Sequence, residues 1–347
     1  MMKKGIWLVS TGLLLSFSSL AQAKQDICVF DLLGKVGESY KMMEEWALAA
    51  KGWNADVRLI AYQNEEKADN DFKNGKCDAI YMTTMRARAY NKFAGSIDAL
   101  GGVPSNAIAH KAIIYVLDKR NIKRLKTTID NVQYEVGGIG QIGPAYIFVK
   151  DRNINTIEKA TGKKFAVLEY DKAQIAMVKR VGATPVLSDV SDFVSKFNKG
   201  QVEMVGAPAY AFKPLEMDKG LGANGALFNF PVLNVTADLI FNTEKFPSNL
   251  GVQSRDWFIK QLPRQFAMVK RLEEGIPAKY RMQLSKEEKE KYEKQLSQLK
   301  NQEKKLKKMA SLEERKKRTH RLIERGAILE SFIEGGLSTH MQGWNFA

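Results

Sequence analysis

Apolar and polar positions change period regularly along this chain, and the changes mark out its elements. Residues 26–33, with the apolar run Ile27-Cys28-Val29-Phe30, read as a strand, and the loop Gly34-Lys35-Val36-Gly37 follows. From Glu38 to Lys51 the apolar Met42, Trp46 and Ala49 return at helical spacing. Asp56–Tyr62 alternates as a strand. Asn64 to Asn74 reads as a helix with an Asn cap and a closing Gly75, and Cys77–Met82 as the third strand. This strand-helix-strand-helix-strand order predicts a parallel α/β sheet, in which ligands meet the carboxyl ends of the strands. The loop after the first strand and Thr83-Thr84-Met85-Arg86 after the third thus stand on the expected ligand edge.

A second α/β unit is predicted over residues 132–230. Gln133–Ile139 and Ala145–Lys150 read as strands around a turn from Gly137 to Pro144. Strand Phe165–Leu168, helices over 171–181 and 189–199, and strand Val202–Gly206 complete the unit. Leu233–Asn242 reads as a strand returning to the first lobe, and Ser254–Leu272 as a helix carrying Trp257, Phe258 and Leu262. The domain expectation is a lobe 1 of residues 24–130 and 231–284, and a lobe 2 of 131–230. Residues 285–325 then carry a net +7, from 15 Lys and Arg against 8 Glu, with leucines near heptad spacing. They suit a long solvated helix packed by one stripe; a basic docking face is the functional reading. Residues 326–347 turn apolar and aromatic, and are expected to pack back on the lobes.

The N-terminus changes the picture most. Met-Met-Lys-Lys, an apolar stretch from Ile6 to Leu20 and Ala21-Gln22-Ala23 have the layout of an export signal cleaved after Ala23. The apolar stretch is too short for a span, which needs roughly 20 residues. A periplasmic location follows for a Gram-negative cell. The formal charge of +15 then falls to +13 as Lys3 and Lys4 leave. Export makes nucleic acid improbable as the partner of that charge.

Cys28 and Cys77 each open a predicted strand and meet an oxidising compartment after export. If those strands are parallel neighbours, the two can bridge; two buried thiols are the alternative. The three histidines, His110, His320 and His340, are scattered, so no metal site is visible and no cofactor is expected. Gly138-x-Gly140-x-x-Gly143 has dinucleotide spacing but precedes Pro144 and a strand instead of opening a helix. No nucleophile with its base is recognisable, and no enzyme is expected.

Three runs carry a family resemblance: Asp71-Phe72-Lys73-Asn74-Gly75-Lys76-Cys77-Asp78-Ala79, Thr161-Gly162-Lys163-Lys164-Phe165-Ala166-Val167, and Val181-Gly182-Ala183-Thr184-Pro185-Val186 followed by Phe197-Asn198-Lys199-Gly200-Gln201-Val202-Glu203. In that order and spacing, over most of residues 26–275, the chain resembles the solute-binding proteins of tripartite ATP-independent periplasmic (TRAP) transporters. It is most similar to a branch labelled only as solute-binding proteins. The resemblance implies an α/β, two-lobed periplasmic binding protein of type II-like form, with a hinge and long C-terminal helices. It implies a receptor that captures a small solute, usually an organic anion, and delivers it to inner-membrane permease subunits; a monomer is the expectation. Some relatives carry labels tying them to multidrug efflux and aminoglycoside resistance. A non-transporting periplasmic accessory protein of an efflux or envelope system is therefore the alternative.

The family's solute-pairing arginine falls here on Ala166 or its neighbour Phe165. A guanidinium is the natural carboxylate clamp, so the charge must come from elsewhere. Arg86 is the first candidate, beside Thr83 on the same rim, with Lys35 after the first strand; an exposed or ion-paired helix arginine is the plainer reading of Arg86. The helix beginning near Glu38 also offers backbone N–H groups to an anion. Gln141, Tyr170 and Tyr210 are the second-lobe candidates, as strand-end residues. Asp31 and Glu38 would instead suit an amine, which leaves a zwitterionic or cationic solute open.

Overall fold

A computed structural model describes residues 24–99, 102, 103, 105–282, 287, 290, 294 and 315. The predicted export signal lies outside the described residues, as does the 285–347 segment apart from those last four positions. In chain order the first elements are β1 (Gln25–Phe30), α1 (Glu38–Lys51), β2 (Val57–Tyr62), α2 (Glu65–Lys73), β3 (Ala79–Thr83) and α3 (Thr84–Ala87). Helix α4 (Asn106–Leu117), β4 (Lys126–Ile129), β5 (Val132–Val149), α5 (Ile157–Ala160), β6 (Lys164–Leu168) and α6 (Lys172–Arg180) follow. Then come β7 (Thr184–Ser188), α7 (Phe193–Asn198), β8 (Met204–Pro208), α8 (Ala209–Phe212) and α9 (Met217–Leu221). The last are β9 (Ala226–Phe228), β10 (Leu233–Asn242), α10 (Leu250–Glu274) and β11 (Arg281–Met282).

The chain divides into two compact units. The first holds Met1–Ser96, His110–Ile142 and Thr236–Ala267; the second holds Ile97–Ala109, Gly143–Val235 and Met268–Ala347. In the first, β1 lies between β2 and β3, parallel to both, with Ile27 opposite Leu59 and Ala79. Antiparallel β10 closes on β3 with Leu239 opposite Tyr81, and β5 follows it. All five residues of β3 are buried, as expected of a strand covered on both faces. Helix α2 starts where its cap predicts: the Asn64 side chain accepts from the Lys67 N–H at 2.7 Å. Cys28 and Cys77 form a disulfide with their Cα atoms 5.8 Å apart, as parallel neighbouring strands allow. Trp46 of α1, fully buried, donates its indole N–H to Ser254 Oγ of α10 at 2.8 Å.

In the second unit β8 pairs antiparallel with the end of β5 and parallel with β6, and β6 pairs parallel with β7. Its core gathers Ile147, Val149, Phe165, Val167, Val178 and Met204 among others. Asp171 caps α6 by accepting from the Ala173 and Gln174 N–H groups. The run Gly182 to Val186 leads into a strand, β7, that the hydrophobic pattern left unassigned.

One expectation fails. The predicted turn from Gly137 to Pro144 is the interior of a single 18-residue strand, β5. Its glycines mark close approach. A Cβ on Gly138 would fall 2.0 Å from the Phe258 ring, and one on Gly140 would fall 2.2 Å from Tyr81 Oη. Gly143 takes φ +128°, a kink that only glycine adopts without strain.

Candidate solute-binding site

In the first unit, the carboxyl ends of β1 and β3 carry the densest set of polar side chains. Asp31, the first residue past β1, is 3% exposed. Its Oδ1 accepts from the Leu33 N–H at 2.9 Å, and its Oδ2 from the Ser39 and Tyr40 N–H groups at 2.9 and 3.2 Å. The N-terminus of α1 was expected to offer these donors to an anion. The chain's own carboxylate already holds them, and a Cβ on Gly37 would overlap it at 1.9 Å. Lys35 and Glu38 stand exposed nearby; Glu38 pairs loosely with Lys41 at 3.8 Å.

At the end of β3 the organising group is Glu65, the first residue of α2 and fully buried. Its Oε1 accepts from the Thr83 N–H at 2.7 Å, and its Oε2 from Arg86 Nε at 3.2 Å. Thr83 Oγ1 in turn accepts from the Arg86 N–H. Arg86 Nη1 also lies 3.7 Å from Asp69, whose Oδ1 accepts a hydrogen bond from the Tyr90 hydroxyl at 2.7 Å. Burial pushes the Glu65 carboxyl up, and its bonds to Thr83 and Arg86 oppose that rise. Arg86 is therefore an ion-paired arginine, 10% exposed at its side chain, that fixes the rim of β3. Thr83 is 5% exposed.

Beside them Asp238 sits mid-strand in β10, opposite Met82, with no exposure. Thr84 Oγ1 donates to its Oδ1 at 2.5 Å, and Thr236 Oγ1 donates to Thr84 Oγ1 at 2.8 Å. Asp238 Oδ2 is buried without a hydrogen-bond partner among the described residues. Burial pushes this carboxyl up to about 7, against the downward pulls of the Thr84 bond and the Arg88 guanidinium. Gln141, 3% exposed, donates its backbone N–H to Gln265 Oε1 at 2.6 Å. It lies in this unit, although the sequence reading assigned it to lobe 2.

The second unit holds Tyr170 two residues past β6, half-buried, and Tyr210 two residues past β8, 8% exposed. Strands β6 and β8 are neighbours, so the two tyrosines stand at the same edge of this unit. Ala166 lies in β6 opposite Val186 and Val205, 3% exposed. Phe165 and Val167 point into the core, so Ala166 lies on the other face of the strand. Sequence reasoning passed over Glu65, Asp69 and Asp238. Asp238 was legible as the lone charge of its strand, Leu233–Asn242; Glu65 and Asp69 look like ordinary solvated helix residues.

The profile of the solute-binding proteins AdeT 1/2 matches residues 42–315. The chain belongs to this family. It is 41% identical over 268 residues to the "Probable solute-binding protein AdeT1" of Acinetobacter baumannii, covering 77% of this chain and 87% of that one. The corresponding AdeT2 is 27% identical over 60% of this chain and 85% of its own. Among solved structures, a TRAP periplasmic solute-binding protein of Pseudomonas aeruginosa with bound L-malate superposes with TM-score 0.65 at 13% identity. That match covers 80% of this chain and 99% of the other. The ectoine-binding protein of the Halomonas elongata TRAP transporter gives 0.59 at 12% identity, over 81% and 92%. The mixed α/β fold of this chain is thus that of the TRAP receptors. Among the described residues, no helix is long and apolar enough to cross a membrane, and no cluster of His, Cys, Asp and Glu could hold a metal ion.

Proposed function

We propose that this member of the family is a periplasmic receptor for a small organic anion, released from its export signal after Ala23, which passes the anion to membrane permease subunits. Its family carries the solute-binding part of this reading. The observation that favours an anion is the state of Asp31. Three backbone N–H groups hold its carboxylate, so it is not available to neutralise an amine. Related folds are described with bound malate, succinate and orotic acid, and another is an ectoine-binding protein.

The residues proposed to meet the solute are Lys35, Thr83 and Gln141 in the first unit and Tyr170 and Tyr210 in the second. Arg86 acts through Glu65 and Thr83 as a positioning residue. With Ala166, or its neighbour Phe165, where the TRAP receptors carry an arginine, Lys35 supplies the mobile positive charge. A lysine there gives a weaker, less directional clamp than a guanidinium fork.

Ligand that binds only the folded state raises Tm. The purified mature protein is expected to melt higher with one member of a panel of mono- and dicarboxylates. Lys35→Ala should shrink that shift while leaving the unliganded Tm unchanged. A panel of organic acids and amino acids that shifts nothing would overturn the reading, and a shift given only by cationic solutes would replace the anion with an amine.

A further inference from the structure

The end of α4 and the 3-10 turn after it, Lys119–Leu125, form one cationic surface on the first unit. Residues 110–126 hold six Lys and Arg against a single acid, Asp118. That acid is spent locally: it takes two bonds from the Arg120 guanidinium and one from the Arg120 N–H. Asn121, buried, donates to the Tyr115 carbonyl at 2.6 Å and so fastens the turn onto the helix end. Asn91 donates to the Arg124 carbonyl at 2.9 Å, and the Arg124 guanidinium lies 3.5 Å over the Phe93 ring. This pair of contacts carries exposed Lys92 to the same surface.

Two features say what the surface fits. Lys111, Ile114 and Tyr115, at i, i+3 and i+4, share one face of α4, and Ile114 and Tyr115 are 37% and 54% exposed. The chain thus leaves an aliphatic and an aromatic side chain in water beside the cations. Second, the arginines are fastened, one on Asp118 and one on Phe93. Lys92, Lys111, Lys119 and Lys123 make no ion pair with a described residue. Flexible point charges around a Tyr suit a diffuse layer of phosphates over a shallow apolar boundary. They suit a single fixed carboxylate poorly, since that calls for the guanidinium fork.

We propose that this surface docks the protein on an anionic phospholipid headgroup layer, with Tyr115 and Ile114 at the boundary and the lysines over the phosphates. The docking needs no solute, so it stands or falls apart from the receptor reading. Each cation near such a layer contributes roughly a fivefold gain in partitioning, lost as salt rises.

The test uses the full mature chain and flotation with vesicles of equal parts phosphatidylglycerol and phosphatidylethanolamine, against phosphatidylcholine alone. The protein should float with the anionic vesicles only. The triple variant Lys111→Glu, Lys119→Glu, Lys123→Glu, whose side chains make no ion pair with a described residue, should lose at least about a hundredfold in partitioning. Tyr115→Ser should weaken binding by a smaller factor that persists at high salt. Three results overturn the proposal. One is no flotation of the unsubstituted protein. Another is equal flotation of the triple variant, which would place the attraction in the basic 285–325 segment. The third is retained vesicle binding with lost binding to detergent-extracted membrane protein, which would make the surface a protein-docking face.

Discussion

The two units bury different things. In the first, carboxylates lie under the edge where β1 and β3 end: Asp31, Glu65 and Asp69 are 3%, 0% and 3% exposed, and Asp238 sits at 0% inside β10. A further pair, Glu135 and Arg255, meets at 2.5 Å, 7% and 3% exposed at their side chains. In the second unit the main cluster, from Ile147 to Met282, contains no titratable side chain. Its half-buried ammonium, Lys150, needs no carboxylate, since it donates to the Phe197 and Gly220 carbonyls at the ends of α7 and α9. Both interiors are packed, but the buried carboxylates gather in the first, while the second holds Asp98, 3% exposed, outside its apolar cluster. Buried charges stabilise little on balance and specify geometry at the cost of sensitivity. Glu65 fixes the rim of β3 in this way, through Thr83 and Arg86.

The disulfide should give the largest break in this comparison. Cys28–Cys77 closes a loop of 49 residues wholly inside the first unit. The double variant Cys28→Ser, Cys77→Ser is expected to cost about 4 kcal/mol in the chain-entropy view. Hydrogen exchange read strand by strand should show the amides of β1, β2 and β3 losing protection first. If the amides of β6 and β7 loosened equally, the two units would be one cooperative body and the contrast between them would carry no consequence for stability.

Asp238 tests the same contrast through pH. Its folded value is pushed up to about 7, above the carboxylate value of an unfolded chain, so the folded state binds the extra proton. The sign follows: stability is greatest at acid pH and falls as pH rises from about 4 to about 7, then levels off. Asp238→Asn removes the titration and keeps an acceptor for Thr84. Urea unfolding should show the wild type losing about 2 kcal/mol relative to the variant between about pH 5 and about pH 7. Parallel pH curves for the two proteins would mean that the buried carboxyl is neutralised in some other way.

How much of this was legible follows the same division. The first three strands with their two helices, the Asn64 cap and the cysteine pairing were readable because each depends on local pattern or on the adjacency of parallel strands. The β5 glycines were misread as a turn. Their cause is Phe258 and Tyr81, residues far away in sequence that need the space. The site was less legible than the fold. A run such as Asn64-Glu65-Glu66-Lys67 gives no sign that Glu65 turns inward to hold Thr83 and Arg86 while Glu66 faces water. The helix N-terminus offered to a solute anion was real, but the residue that fills it, Asp31, lies seven positions upstream of Glu38 across a turn that periodicity does not describe.

The smallest effect supplies the control. Ile147 of β5 lies opposite Gly206 of β8 and is 6% exposed within the apolar cluster of the second unit. Ile147→Val removes one methylene there at a cost of about 1 kcal/mol. No cluster side chain exchanges a proton, so that cost should be the same at about pH 5 and about pH 8, where the Asp238 contribution differs most. A constant offset in urea midpoint across this range, beside the diverging curves of the Asp238 pair, would show that pH acts on the charged interior and leaves the apolar one alone. An offset that grew with pH would instead mean that deprotonation in the first unit is felt in the packing of the second, and the two interiors would have to be treated as coupled.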